Sequence, residues 1–188
     1  MKIRDSGMPE EAMWASFFDT DICLDRLKLR DLNNDVVDLG CGYGTFTIAA
    51  AARTTGTVWA FDIEPDMVRA TGEKAGRLGL QNVVTTQRDF LSGGTGLPAE
   101  SCGYVMAFNI LHTAQPHSLL AEAHRILQPG GLVGIIHWLP DPTTPRGPAM
   151  EIRPRPEQCR RWLSEAGFVA ISDVISLPPY HYGLIGTK

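Results

Sequence analysis

A chain of 188 residues with 44% hydrophobic content is long enough for one domain with a sizeable core. Its formal net charge is −4 and its Lys and Arg form no long run, which speaks against a nucleic-acid partner, whose phosphates need a basic face. No apolar run approaches the roughly 18 residues of a membrane span, and Met1–Gly7 lacks the apolar core of a signal peptide. Cys23, Cys41, Cys102 and Cys159 are widely spaced, forming neither a C-x-x-C pair nor a disulfide framework, so a reducing cytoplasm is the expectation.

The segment before residue 35 reads as helical, with Phe18, Ile22 and Leu29 on one face. Val36-Val37-Asp38-Leu39-Gly40-Cys41-Gly42-Tyr43-Gly44-Thr45-Phe46-Thr47 then reads as a buried strand, a glycine turn and a helix start. Alternating Gly40, Gly42 and Gly44 leave the turn's backbone bare, next to the N–H groups of the coming helix. That is the architecture of a nucleotide-like cofactor site, against the plainer alternative of a tight turn with no ligand. Dinucleotide sites use G-x-G-x-x-G, and here Thr45 stands at the third glycine's place. Asp38 at the strand end suits a cationic ligand better than a pyrophosphate. S-adenosylmethionine, with an ammonium and a sulfonium, fits that requirement.

Val58–Asp62 is a second strand, and Pro65 opens a helix that should present Met67, Thr71, Ala75 and Leu78 to the core. Val83–Arg88 and Tyr104–Phe108 read as the third and fourth strands. A helix marked by Leu119, Leu120, Ala123 and Ile126 stops before Pro129-Gly130-Gly131, and Leu132–His137 is an apolar central strand. From Leu139 to Pro156 six prolines and three arginines give no periodicity, which reads as an ordered loop over the strand rim. Pro156–Ala166 is a helix, and Phe168–Ser176 with His181–Gly186 reads as a hairpin around Pro178-Pro179.

Repeated strand–helix alternation implies a parallel sheet with helices on both faces, and such sheets bind ligands beyond the carboxyl ends of their strands. Asp38, Asp62, Asp89, Asn109 and His137 all fall at or just past strand ends.

In combination these motifs resemble the class I S-adenosylmethionine-dependent methyltransferases, from Val36 to the C-terminus. Val36–Thr47 is similar to that family's first motif. Asp62 matches the acid that holds both ribose hydroxyls, and Ile63 the residue packed on the adenine. Asp89-Phe90 resembles the pair at the adenine's edge and face. Phe108-Asn109-Ile110-Leu111-His112 resembles the segment beside the methionine moiety. His124–Gly131 resembles the L-x-P-G-G turn, and Glu165–Phe168 the junction before strand 6. The resemblance implies a Rossmann-like methyltransferase fold: a seven-stranded, mostly parallel sheet with strand 7 antiparallel beside strand 5. It implies one methyltransferase domain over 1–188, with 1–34 as a helical lid segment. The implied cofactor is S-adenosyl-L-methionine, bound by Asp38, Gly40, Gly42, Tyr43, Gly44, Asp62, Ile63, Asp89, Phe90 and Asn109. Two features depart from the pattern. Gly103 stands where many members have an Asp, and no D/N-P-P-Y follows strand 4; Pro178-Pro179-Tyr180 lies elsewhere. Met8–Trp14 is similar to the opening of some small members.

Methyl transfer from a sulfonium is an in-line displacement, so alignment is the main requirement and a base serves only an acceptor with a proton to lose. His137 and His112 are the base candidates, His137 because its strand end should aim it at the ligand. His117 and His124 read as surface residues, and a His112/His117 metal pair lacks a third ligand, so no metal is expected. Tyr43 is a candidate cover for the methionine moiety. Trp14 and Trp138 are candidate apolar walls for an acceptor, with core packing as the plainer reading. Arg146, Arg153 and Arg155 could capture an anionic acceptor, with solvated loop charges as the alternative. The expectation is methyl transfer to a small molecule, with no nucleic-acid or membrane partner and no oligomeric state assigned. The competing readings are a non-catalytic S-adenosylmethionine-binding module and an RNA or protein methyltransferase.

Overall fold

The computed structural model describes residues 9–188. Two short helices open it, α1 (Glu11–Ala15) and α2 (Thr20–Arg26), the second capped by Asp19, whose carboxylate accepts from the Ile22 N–H at 3.0 Å. The expected single face does not form. The helical path breaks between α1 and α2, so Ile22 is 45% exposed while Phe17, Cys23, Leu24, Leu27 and Leu29 are buried.

The strands are β1 (Val36–Leu39), β2 (Val58–Asp62), β3 (Val83–Gln87), β4 (Cys102–Phe108), β5 (Leu127–Trp138), β6 (Ile175–Leu177) and β7 (His181–Thr187). Between them lie α3 (Thr45–Ala51), α4 (Pro65–Arg77), α5 (Phe90–Gly93), α6 (Pro116–Ile126), a 3-10 turn at Met150–Ile152 and α7 (Pro156–Glu165). Among the described residues these strands form one sheet in the order β3-β2-β1-β4-β5-β7-β6, with β7 antiparallel to β5. This is the seven-stranded, mostly parallel architecture the sequence implied.

Every residue of β1 is buried, because β2 and β4 flank it and helices cover both faces. Alternation along the strands sorts side chains into two apolar layers. Val37, Leu39, Val105, Ala107, Val133 and Ile135 pack with α6 and α7. Val36, Val58, Met106, Phe108 and Ile136 pack with α2 and α3.

The sequence reading errs at element ends. Leu78 is 59% exposed, because α4 stops one residue short of it and Leu78 is the C-terminal cap. β5 begins at Leu127 and runs through Pro129-Gly130-Gly131, held by the Gly130 N–H donating to the Lys188 carbonyl at 3.0 Å. The strand expected over Phe168–Ser176 reduces to a bridge between Val169 and Thr187 followed by the three-residue β6.

Candidate functional site

The parallel strands deliver their carboxyl ends to one rim, and the glycine turn after β1 occupies its centre. Gly40 has φ +86°, and a Cβ there would meet the Ile110 side chain at 2.7 Å. Gly44 has φ +73°, caps α3, and would drive a Cβ to 2.9 Å from Thr71. Glycine is therefore demanded twice over, by backbone sign and by space.

Three carboxylates stand on this rim in different environments. Asp38 is buried, with Oδ2 accepting from the Thr47 hydroxyl at 2.6 Å. Burial outweighs that hydrogen bond, and nearby Asp62 adds repulsion, so its carboxyl is pushed up to about 7. Asp62 is half-buried; Oδ2 accepts from the Gly42 N–H at 2.9 Å and Oδ1 from the Glu64 N–H at 3.0 Å. Its carboxyl is also raised by burial, against those backbone donors. Asp62 thus ties the glycine turn to β2 and keeps further lone pairs on both oxygens. Asp89 is exposed and caps α5 by accepting from Leu91 and Ser92, and the Ser92 hydrogen bond holds its carboxyl below the usual range. Asn109 takes a left-handed backbone, φ +53°, and its N–H donates to the Ile136 carbonyl at 2.7 Å. Both polar atoms of its side-chain amide are buried with no partner among the described residues, as is the Thr45 hydroxyl.

These residues share one cleft of about 1020 Å³, its open side included. Asp38, Gly40 and Gly42 line it from the turn, Asp62 and Ile63 from β2. Asp89, Phe90 and Asn109 complete that part of the lining. Thr45, Glu64 and Arg88 add further polar groups, and the rest of the wall is apolar: Cys41, Leu91, Trp14 from α1, Phe46 from α3, Phe108 at the end of β4, Ile110 after it, Trp138 from β5, and Pro148 from the following loop. Trp14 and Trp138, the two candidate walls, thus line the cleft. Sequence reasoning assigned no role to Thr45, Phe46, Arg88 or Pro148. Thr45 and Phe46 carried a usable signal, since the first turn of a helix after such a glycine turn faces whatever the turn binds.

Other candidates stand elsewhere. Tyr43 and Gly44 are not among the described lining residues. The Tyr43 hydroxyl donates instead to the Pro9 carbonyl at 3.2 Å, pinning the chain that leads into α1. His112 and His137 are not lining residues either. His137 is fully buried; β5 alternation sends it with Val133 and Ile135 to the sheet face opposite Trp138. Its Nε2 lies 3.2 Å from Nδ1 of His112, and burial with that neighbour pushes it well below the normal histidine range. The idea that the strand end aims His137 at the ligand fails on this parity.

Arg153 is not available for anion capture. It is buried, and its guanidinium donates to the Pro148, Leu139 and Arg146 carbonyls at 2.9–3.0 Å and to the Thr144 hydroxyl at 2.5 Å. It also lies over the Trp138 ring, 5.8 Å from the centroid. Arg153 therefore folds the loop onto the rim, which places Pro148 in the cleft wall. Arg146 is exposed and outside the described lining. His117 is exposed and pairs with Glu165 at 2.9 Å, and no cluster of three metal-ligating side chains occurs among the described residues. Residues 1–8 of the expected lid segment 1–34 lie outside the described residues.

A family model described as a methyltransferase domain matches residues 36–131. The ribosomal protein L11 methyltransferase of Psychrobacter cryohalolentis is 44% identical over 64 residues, 34% of this chain and 21% of that protein. That of Methylococcus capsulatus is 38% identical over 116 residues, 61% of this chain and 37% of that protein. The chain thus matches between 21% and 37% of the length of these curated relatives. Among solved structures, an S-adenosylmethionine-dependent methyltransferase from Aquifex aeolicus superposes with TM-score 0.83 at 23% identity, over 95% of this chain and 93% of that one. A geranyl diphosphate methyltransferase in complex with S-adenosylmethionine gives TM-score 0.73 at 16% identity, over 97% and 92%. At such identities the likeness concerns the fold.

Proposed function

The chain belongs to the methyltransferase-domain family as a class I S-adenosylmethionine-dependent enzyme, and on that premise we propose that the rim cleft seats S-adenosylmethionine and presents its methyl group to a small-molecule acceptor. The carrying observation is the convergence of Asp38, Asp62, Asp89 and Asn109 on one cleft beside a bare glycine turn. Buried polar atoms without partners support a ligand there, since the Asn109 amide and Thr45 hydroxyl gain hydrogen bonds only from something that enters.

In this reading Asp62 accepts from the two ribose hydroxyls while its backbone donors hold it rigid. Asp89 accepts from the adenine amine, with Ile63 and Phe90 packing on the ring. Asp38, Asn109 and the turn face the methionine end. The cofactor supplies a methyl group already activated on a cationic sulfur. The chain's work is to fix the two reactants in line and keep water out. Trp14, Trp138 and Pro148 close the acceptor side, so residues 1–34 act as a lid on one domain spanning 1–188.

Among the described residues no helix is long and apolar enough to cross a membrane, and all four cysteines are free thiols. A cytoplasmic setting accords with the thiols. The relatives that act on ribosomal protein L11 favour a second reading, a protein acceptor. Calorimetry tests the cofactor: S-adenosylmethionine and S-adenosylhomocysteine should bind and NADH should not. A screen of metabolite extracts against ribosomal protein, with methyl-labelled cofactor, separates the two acceptor classes.

A further inference from the structure

We infer that the acceptor is a neutral aromatic nitrogen base, a flat ring system whose nitrogen lone pair is free at neutral pH. The inference rests on the methyltransferase reading and concerns the apolar half of the same cleft.

Four aromatic rings face that half: Trp14, Phe46, Phe108 and Trp138. They are fixed edge-on to one another or to neighbours, Phe46 to Phe108 at 4.8 Å, Trp14 to Phe18 at 4.9 Å and Trp138 to Phe17 at 5.3 Å. Rigid aromatic walls favour a flat aromatic guest over a flexible chain.

Charge removes the other guests. An acid needs a cation, yet the guanidinium of Arg88, which lines the cleft, already donates to the Gly94 and Gly93 carbonyls at 2.5 and 3.1 Å. Arg153 is consumed by its loop. A hydroxyl or phenol needs a base; no histidine, lysine or tyrosine lines the cleft among the described residues, and the buried lining carboxyl, Asp38, accepts from Thr47 and in the proposed reading faces the cationic methionine end. Of the lining carboxylates, Asp38 accepts from Thr47 beside the glycine turn, and Asp62, Glu64 and Asp89 lie on or just after β2 and β3, where the proposed reading seats the ribose and adenine. An alkylammonium would have to shed its hydration between apolar walls, next to a sulfonium of the same sign. A neutral aromatic nitrogen meets none of these obstacles, and the buried Asn109 amide offers it an uncharged polar neighbour.

The step balances without a base. The nitrogen lone pair forms the N–CH3 bond as the C–S bond breaks, and that bond's electron pair stays on sulfur. The positive charge passes from sulfonium to the methylated ring nitrogen, and no proton moves.

The test uses the full chain and an isosteric bicyclic series: isoquinoline, naphthol, naphthalenethiol, naphthoate and aminomethylnaphthalene. Formation of S-adenosylhomocysteine reports turnover, and calorimetric titration into protein saturated with S-adenosylhomocysteine reports binding. Isoquinoline should be methylated at least about tenfold faster than every other member and bind at least about tenfold tighter, with a rate at saturating S-adenosylmethionine that is flat between about pH 7 and pH 9. Preference for any other member in either readout overturns the inference, naphthoate in particular by showing that the Arg88 guanidinium takes an anion despite its bonds to the Gly93 and Gly94 carbonyls. Failure of every member to bind and react, with S-adenosylmethionine binding intact, also overturns it. Failure of S-adenosylmethionine itself to bind would instead strike the methyltransferase reading.

Discussion

Replacing Asp38 with Asn tests the electrostatics of the cleft where they are most extreme. Asp38 is buried between the glycine turn and α3, and its hydrogen bond from Thr47 does not offset the loss of hydration. Its carboxyl titrates at about 7 when folded against 3.8 as a free side chain. Below about pH 4 both states hold the proton and nothing is lost. Between about 4 and 7 the folded state keeps a proton that the unfolded chain has released, so stability falls as pH rises, and above about 7 the loss is complete. A gap of about 3 pH units corresponds to roughly 4 kcal/mol. An asparagine side chain keeps the amide oxygen for Thr47 and carries no charge. Asp38→Asn should therefore match wild type near pH 4 and exceed it by up to roughly 4 kcal/mol at pH 8, in the absence of cofactor. Urea unfolding of both proteins across this range gives the difference directly, and it cancels the buried histidines, whose depressed titration gives an opposite slope. Cofactor binding supplies the converse readout. A cationic ligand stabilises the ionised carboxylate, so S-adenosylmethionine should bind wild type more tightly as pH rises through 7, a trend Asp38→Asn should lack. A stability difference that stays flat from pH 4 to pH 8, or a variant less stable than wild type at pH 8, would refute the reasoning.

Asp62→Ala should weaken S-adenosylmethionine binding about tenfold or more by calorimetry, and should also lower stability by roughly 1–3 kcal/mol in urea, because the Gly42 and Glu64 N–H groups lose their acceptor. His181→Phe should improve stability in acid. The imidazole lies 4.3 Å from both Phe18 and Trp138, neither nitrogen has a partner among the described residues, and burial pushes it down to about 3. Wild type therefore loses stability as pH falls below the normal histidine range and the variant should lose less, as thermal melts at pH 5 and pH 7 would report. Arg153→Met should speed amide hydrogen exchange across residues 139–155 while changing S-adenosylmethionine affinity only a few-fold, since Arg153 holds the loop and not the cofactor half.

The geometry of the half proposed to hold the cofactor was legible in the sequence because its requirements are local. A buried strand followed by alternating glycines specifies a backbone shape, and each acid that matters stands one or two positions past a run of β-branched and aromatic residues. Asp62 is the clearest case: the end of Val58–Asp62 sets its place on the rim, and the same position lets it accept from the Gly42 N–H. Neighbouring elements obey the same logic, so the parallel sheet followed from strand–helix alternation and the antiparallel seventh strand from the family resemblance, with misses at ends such as Leu78 and Leu127, at the N-terminal helical face and in the strand expected over Phe168–Ser176.

The acceptor half was not legible, because its requirements are tertiary. The three arginines of the proline-rich loop left anion capture and solvated loop charge both open, since sequence cannot show where backbone carbonyls will converge. Folded, the loop turns the Leu139, Arg146 and Pro148 carbonyls inward, and they need a donor more than any ligand does. His137 failed through a single parity: Trp138, one residue later on β5, faces the cleft, so His137 cannot. Both outcomes point the same way. Each removed a charged or basic group from the acceptor side, and what remains there is aromatic and held by packing. On the proposed reading, selectivity on that side comes from shape and from the exclusion of charge, while the carboxylates hold the donor. A chain that worked in this manner would activate nothing in the acceptor; it would accept a nucleophile that is already competent and confine it against a methyl group that is already reactive.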